Sequence, residues 1–214
     1  MYNHSIKRGE GEMIYKFSGY LTRLLCKESM ISDDQEELYD YGFQITIANM
    51  TNFVIALLTG ICFHAVIEMA FIYCIFVSLR FFCGGYHADT YGKCFLLFAV
   101  TCMTCLWVAK WIAGYQETWF LLFPASLFFL GLCIWKKAPV ENPNRPMTDG
   151  EKKIFKKRSF QIYSFWTVSG IILWAFHQAN LTASFISAFI AVAILMILKE
   201  GGNGNEGKNT ETAG

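Results

Sequence analysis

The chain has 214 residues, 54% of them apolar, 17% aromatic and 16% charged, against roughly 45–50% apolar and about 25% charged in an average soluble domain. The formal net charge of +1 conceals a segregation, because charges gather at residues 1–40, around 80–93, at 136–158 and in the tail. This argues against soluble, disordered and collagenous classes and against nucleic-acid binding, which places a basic stripe among exposed aromatics; the class that fits is an all-α integral membrane protein.

Glu10 and Glu12 precede Met13, and no long apolar run begins before Ile45, so a cleavable signal peptide is not expected. Met13, Ile14, Phe17, Tyr20, Leu21, Leu24 and Leu25 recur at helical spacing, with Lys16, Arg23 and Lys27 elsewhere on the wheel. That pattern predicts an amphipathic helix, either lying in the membrane interface or packed on the cytoplasmic ends of a bundle. Ser32 to Glu37 reads as an N-capped start followed by a solvated helix turn.

Six runs then reach the roughly 20 apolar residues, within a range of about 17 to 25, that a spanning helix needs. They lie at 45–64, 65–82, 94–112, 118–135, 162–178 and 181–198, the first two fused, with His64 and Glu68 marking a tight turn. Trp111 and Trp119, Trp135 and Trp166, and Trp174 fall near predicted span ends, at the interfacial depth that amphipathic rings favour. Pro139, Pro143 and Pro146 stop a helix, and Lys152, Lys153, Lys156, Lys157 and Arg158 follow as an anchor to anionic lipid. Ser184, Ser187, Ala188 and Ala191 give the last span a small-residue face suited to close helix approach, within the chain or between two copies. Residues 199–214, rich in glycine, are expected to be disordered. The organisation predicted is a single membrane domain over 1–198, with N-terminal cytoplasmic or interfacial helices over 1–44, a transmembrane bundle over 45–198, and a cytoplasmic tail.

Of the eight cysteines, Cys62, Cys74, Cys102, Cys105 and Cys133 lie in apolar runs and read as small hydrophobes. Cys102 and Cys105 have redox-motif spacing but sit inside a span rather than opening a helix beside a βαβ unit. The reactive residue types outside the spans cluster in Arg80-Phe-Phe-Cys-Gly-Gly-Tyr-His-Ala-Asp-Thr-Tyr-Gly-Lys-Cys94. A thiol becomes a nucleophile as its thiolate, which needs a base, a nearby positive charge or a helix N-terminus. Cys94 opens the third predicted span, His87 is a candidate base and Lys93 adds charge. On one continuous helix, His87 and Cys94 would be about 10 Å apart in rise at about 1.5 Å per residue, so a hydrogen bond between them requires the chain to fold back, and Gly84, Gly85 and Gly92 tolerate such turns. A glycine-containing loop with an interfacial histidine and a helix-packing cysteine fits the same spacing. Zinc binding by Cys83, His87 and Cys94 finds only Asp89 as a fourth ligand, so neither a metal nor another cofactor is expected. Arg80 ends the second span, where it snorkels or binds a carboxylate or developing oxyanion.

Arg80, Gly84-Gly85-Tyr86-His87-Ala88 and Cys94, with Tyr41-Gly42 before the first span and Ala138-Pro139, Asn142 and Pro146 before a basic run, resemble the AgrB family, accessory gene regulator B of Gram-positive bacteria. The resemblance implies a multi-pass cysteine endopeptidase of the bacterial cell membrane. Such an enzyme cleaves a quorum-sensing propeptide, AgrD, and closes it into a cyclic thiolactone or lactone. It implies Cys94 as nucleophile, His87 as general base, Arg80, Gly84 and Gly85 as supporting motif residues, and self-association into a homodimer. A non-catalytic peptide transporter or a membrane scaffold is the alternative; intramembrane ionisable residues and midplane helix breaks, which mark transporters, are sparse, since Glu68 and Lys110 lie near span ends and Pro124 alone interrupts a span.

With six spans, every Lys and Arg except Lys110 falls on one side, which the positive-inside rule makes cytoplasmic together with both termini. A cysteine introduced at Asn144, in a background free of native cysteines, is expected to resist an impermeant thiol reagent in intact cells; labelling there reverses the orientation.

Overall fold

The computed structural model describes residues 12–28, 30–84, 90–115, 118–140 and 147–211. Among these residues the regular structure is helical: α1 (Glu12–Lys27), α2 (Glu36–Cys62), α3 (Val66–Cys83), α4 (Tyr91–Ala113), α5 (Thr118–Lys137), α6 (Asp149–Ala175) and α7 (Ala179–Glu211). The all-helical class is as the sequence predicts. By length and composition, α2, α3, α4, the Phe120–Lys137 part of α5 and the Ala179–Leu198 part of α7 can each cross a membrane. The remaining expected span, 162–178, falls largely in α6, where Gln161, Ser164, Thr167 and Ser169 dilute the apolar run. The chain forms two compact units, Met1–Leu58 with His87–Val100, and Thr59–Tyr86 with Thr101–Gly214.

In the first unit, α1 turns Met13, Phe17, Tyr20 and Leu24 outward, Met13 being 84% exposed. Its buried side sets the hydroxyl residues Ser18 and Thr22 beside Ile14; the Thr22 hydroxyl donates to the Ser18 carbonyl at 3.0 Å. An apolar stripe left uncovered by protein is what a helix in the membrane interface requires. A short 3-10 turn, Asp33–Gln35, leads directly into α2. The solvated turn and the span expected separately are one continuous helix of 27 residues, about 40 Å long at about 1.5 Å per residue. That exceeds a hydrocarbon core of about 30 Å, so the acidic first turns of α2 extend beyond it.

The second unit begins with the turn expected at His64. Ala65 N–H reaches the Gly60 carbonyl at 2.8 Å, and His64 takes φ +50°, the left-handed position of a helix-ending Schellman turn. The α6–α7 turn repeats the device: His177 has φ +54°, and Gln178 N–H reaches the Leu173 carbonyl at 3.0 Å. Histidine is among the non-glycine residues enriched in this conformation. Gly60 is needed at the first turn because a Cβ there would stand 3.0 Å from Met69 Cβ and 3.1 Å from Val66 Cα.

Helix α7 is the core of this unit. Ala183, Phe185, Ile186, Ala188, Phe189, Ala193 and Met196 are wholly buried, and α7 packs on α3, α5 and α6. Ser184, Ser187 and Ala188 are buried within the chain, so this part of the small-residue face serves intramolecular packing. The helical assignment of α7 continues to Glu211, across the glycine-rich stretch for which composition predicts disorder. On α5, Pro124 lies inside the helix and lacks the N–H that would bond the Phe120 carbonyl. Trp174 of α6 fills that gap, its indole N–H donating to the Phe120 carbonyl at 3.2 Å while its ring stacks on Phe120 at 4.5 Å. The Tyr163 hydroxyl similarly donates to the Leu127 carbonyl at 2.8 Å, an approach open because a Cβ on Gly131 would lie 2.9 Å from that hydroxyl. Buried Gly170 is equally constrained, since its Cβ would stand 2.8 Å from Phe123 and 2.9 Å from Phe185. Two ring edges from separate helices cannot both withdraw, so Gly170→Val is expected to destabilise the bundle by about 1–3 kcal/mol, read as a lower melting temperature in detergent.

Candidate active site

The thiol singled out by the sequence lies at the start of α4. Thr90 precedes the helix and caps it from two groups: its carbonyl accepts the Cys94 N–H at 3.0 Å, and its hydroxyl oxygen accepts the Lys93 N–H at 3.4 Å. Cys94 is therefore one turn into the helix, with its own N–H already bonded to the Thr90 carbonyl. The N-terminal dipole still acts over this turn. Cys94 is half-buried, so its sulfur is not sealed from an incoming chain. Thr90 was legible as a cap from its residue type before an apolar run, although the sequence reading did not single it out.

Around this turn the first unit gathers hydroxyl, amide and carboxylate groups from three helices. The Tyr91 hydroxyl donates to Gln44 Oε1 at 3.2 Å, and Gln44 Nε2 donates to Asp40 Oδ2 at 2.7 Å. Tyr15 of α1 meets the Tyr91 ring edge-on, with centroids 5.7 Å apart. Burial, and then the Asp40 carboxylate, hold the Tyr15 phenol above its ordinary pKa, so it remains a neutral hydroxyl near neutral pH. Tyr15, Gly19, Thr22, Arg23, Glu36, Glu37 and Asp40 line a cleft of about 410 Å³. Spacing alone gave no sign of these contacts, because Gln44 and Tyr91 are far apart in the chain.

Arg80 and Gly84 belong to the second unit. Arg80 lies in the last turn of α3, half-buried, with its guanidinium carbon 5.5 Å from the centroid of the Phe76 ring. Gly84 ends α3 at φ +73°, and its N–H reaches the Arg80 carbonyl. A Cβ on Gly84 would collide with the Val140 carbonyl oxygen, while Val140 N–H donates to the Cys83 carbonyl at 2.8 Å. Glycine is thus required at 84 by both dihedral and space, and the stretch entering the sequence motif is tied to the Ala138-Pro139-Val140 segment. Cys83 is wholly buried beside Ser159 of α6. Gly85, His87 and Asp89 lie outside the described residues, so the expected approach of His87 to Cys94 is a matter of sequence.

Of the five cysteines read as small hydrophobes, Cys62 and Cys74 are exposed, and the other three behave as packing groups. Cys102, Cys105 and Cys133 are buried and unbridged, and the Cys105 thiol donates to the Ser187 carbonyl at 3.8 Å. Among the described residues no group of three His, Cys, Asp or Glu side chains is placed to hold a metal ion.

Two Clostridium perfringens proteins described as AgrB-like are similar to this chain. One, AgrB-like protein 2 of strain 13 (type A), is 28% identical over 170 residues, covering 76% of this chain and 79% of its own length. The other, from strain SM101 (type A), is 26% identical with the same coverage of both chains. No solved structure matches. Residues 18–198 match the family described as accessory gene regulator B, and with most of its length inside that match, this multi-helix chain belongs to the AgrB family, whose role is in quorum-sensing propeptide processing.

Proposed function

We propose that the protein is a cysteine endopeptidase of the bacterial cell membrane that cleaves an AgrD-like propeptide on the cytoplasmic side and promotes its cyclisation. The observation that carries this reading is the contrast between two thiols flanking the motif. Cys94 is half-buried in the first turns of a Thr90-capped helix, with its sulfur open to an incoming chain. Cys83 is 0% exposed at the end of one, sealed from any substrate.

His87 takes the Cys94 proton, and the thiolate adds to a peptide carbonyl of the propeptide. The tetrahedral intermediate collapses as His87 returns the proton to the leaving amine, which leaves a thioester between Cys94 and the retained peptide. A cysteine thiol or serine hydroxyl within that peptide then attacks the thioester carbonyl, releasing a thiolactone or lactone and restoring the Cys94 thiol. Exchange of one thioester for another nearly conserves bond energy, so closure to a thiolactone requires no nucleotide. Arg80, at the end of α3, is suited to a carboxylate or oxyanion.

The orientation is supported by basic residues at helix ends. Arg80 stands in the last turn of α3 and Lys136 and Lys137 in the last turn of α5, while Lys152, Lys153, Lys156 and Lys157 occupy the first half of α6. If α6 crosses through its apolar second half, these groups and both termini share the cytoplasmic face.

Co-expressed with an AgrD-like propeptide that the wild-type protein cleaves, the Cys94→Ala and His87→Ala proteins are expected to lose cleavage by more than about a thousandfold while still inserting in the membrane. Cys94→Ser is expected to be nearly inactive, a hydroxyl being a far weaker nucleophile than a thiolate, and Cys83→Ser to retain activity. Mass spectrometry of the peptide reads all four, and efficient cleavage by Cys94→Ala refutes the assignment.

A further inference from the structure

We propose that Tyr91, Gln44 and Asp40 form a positioning relay that fixes the first turn of α4, and with it the direction of the Cys94 sulfur. The proposal rests on the reading of Cys94 as the nucleophile. Cys94 follows Tyr91 by three residues on α4, and residues at that separation are neighbours on one helix face. The first turn of a helix lacks backbone partners for its leading N–H groups, and Gly92 adds conformational freedom there. A thiol carried on such a turn is aimed reproducibly only if the turn is held from outside.

Gln44 supplies that hold. It is 7% exposed, a burial that is costly for an amide unless its donor and acceptor are both satisfied. Asp40 Oδ2, an acceptor, takes the Nε2 donor at 2.7 Å. This fixes which end of the amide faces α4, where Oε1 accepts the Tyr91 hydroxyl at 3.2 Å. Tyr15 closes on the same ring from α1 at an interplanar angle of 65°, so Tyr91 is constrained at both its hydroxyl and its face. Stability alone does not call for this arrangement, since replacing both partners of a buried hydrogen bond by apolar groups of like shape is nearly neutral. What an apolar pair would not supply is a directional bond, and displacement of a reacting atom by about 1 Å can lower a rate by about a hundredfold.

The test uses the full chain reconstituted in liposomes with a synthetic AgrD-like propeptide. Tyr91→Phe and Gln44→Leu are each expected to lower kcat about tenfold with KM changed less than about twofold, and the double variant to be no worse than the poorer single one, because one relay is cut once. Site-resolved alkylation by iodoacetamide is an independent readout that needs no peptidase activity, and Cys94 is expected to react about threefold more slowly in both variants as the turn that aims its sulfur loosens. Melting temperature in detergent serves as the folding control. Wild-type kcat and an unchanged alkylation rate in Tyr91→Phe overturn the relay and leave the peptidase reading intact. Losses that add in the double variant, or a fall in melting temperature with unchanged Cys94 alkylation, also overturn it, since they indicate separate or merely structural effects. Slowed alkylation in both variants of a protein that cleaves nothing supports the relay and refutes the peptidase reading.

Discussion

A helix exposed to hydrocarbon has no water to satisfy a backbone group that its own ladder leaves open, and the described contacts are organised by that constraint. Pro124 opens the ladder of α5 at the Phe120 carbonyl, and the Trp174 indole closes it. The end of α2 presents the Phe63 carbonyl, and Lys110 of α4 donates to it, its ammonium also lying 5.8 Å from the Phe63 ring centroid. Lys110 is the basic residue that stands apart from the others in the charge distribution, and a helix C-terminus gives it a local partner. Ends of α2 and α6 close on themselves through histidines in left-handed conformation, two of the four histidines in the chain. Their role is therefore conformational, and at His64 it is the tight turn expected from the sequence.

The same constraint explains what could be read from the residues alone. A spanning helix has to be apolar over a fixed length, so α3, α4, α5 and α7 were visible as runs, and the α2–α3 turn was visible at His64. The amphipathic α1 was visible because its stripe repeats at helical spacing, but only the three-dimensional arrangement decides that Met13, Phe17 and Tyr20 remain uncovered. The continuity of α2 was hidden because charge at Glu36, Glu37 and Asp40 resembles a solvated turn, whereas a helix longer than the hydrocarbon core is free to carry charge beyond it. The start of α6 was legible and missed: Thr148 accepts the Glu151 N–H while the Glu151 carboxylate accepts the Thr148 N–H at 2.8 Å, the capping box announced by Thr-x-x-Glu. Gln161 and the hydroxyl residues that follow make α6 the least apolar of the helices expected to cross.

At the site, the motif singled out the side chains proposed to carry chemistry, but not what holds them. Gly84 was legible as a turn glycine; its collision partner, Val140, was not, because that contact depends on how α3 and the segment after α5 meet. Likewise, Tyr91, Gln44 and Asp40 are individually unremarkable in the sequence. A tyrosine before an apolar run reads as an interfacial anchor and a glutamine in a helix as a surface residue; they acquire meaning only when one amide is buried between them.

On the proposed role of Cys94 as nucleophile, its placement answers two requirements that pull against each other. A nucleophilic thiol needs water or positive dipole to hold its thiolate, which favours a helix start at the membrane surface, while a propeptide backbone must reach it without the sulfur being free to wander. Cys83 fails the first requirement because it is sealed inside the bundle at a helix end of the wrong polarity. Cys94 meets it at half burial, one turn inside α4, where Thr90 has already satisfied its N–H and the turn ahead of it is tethered through a phenol.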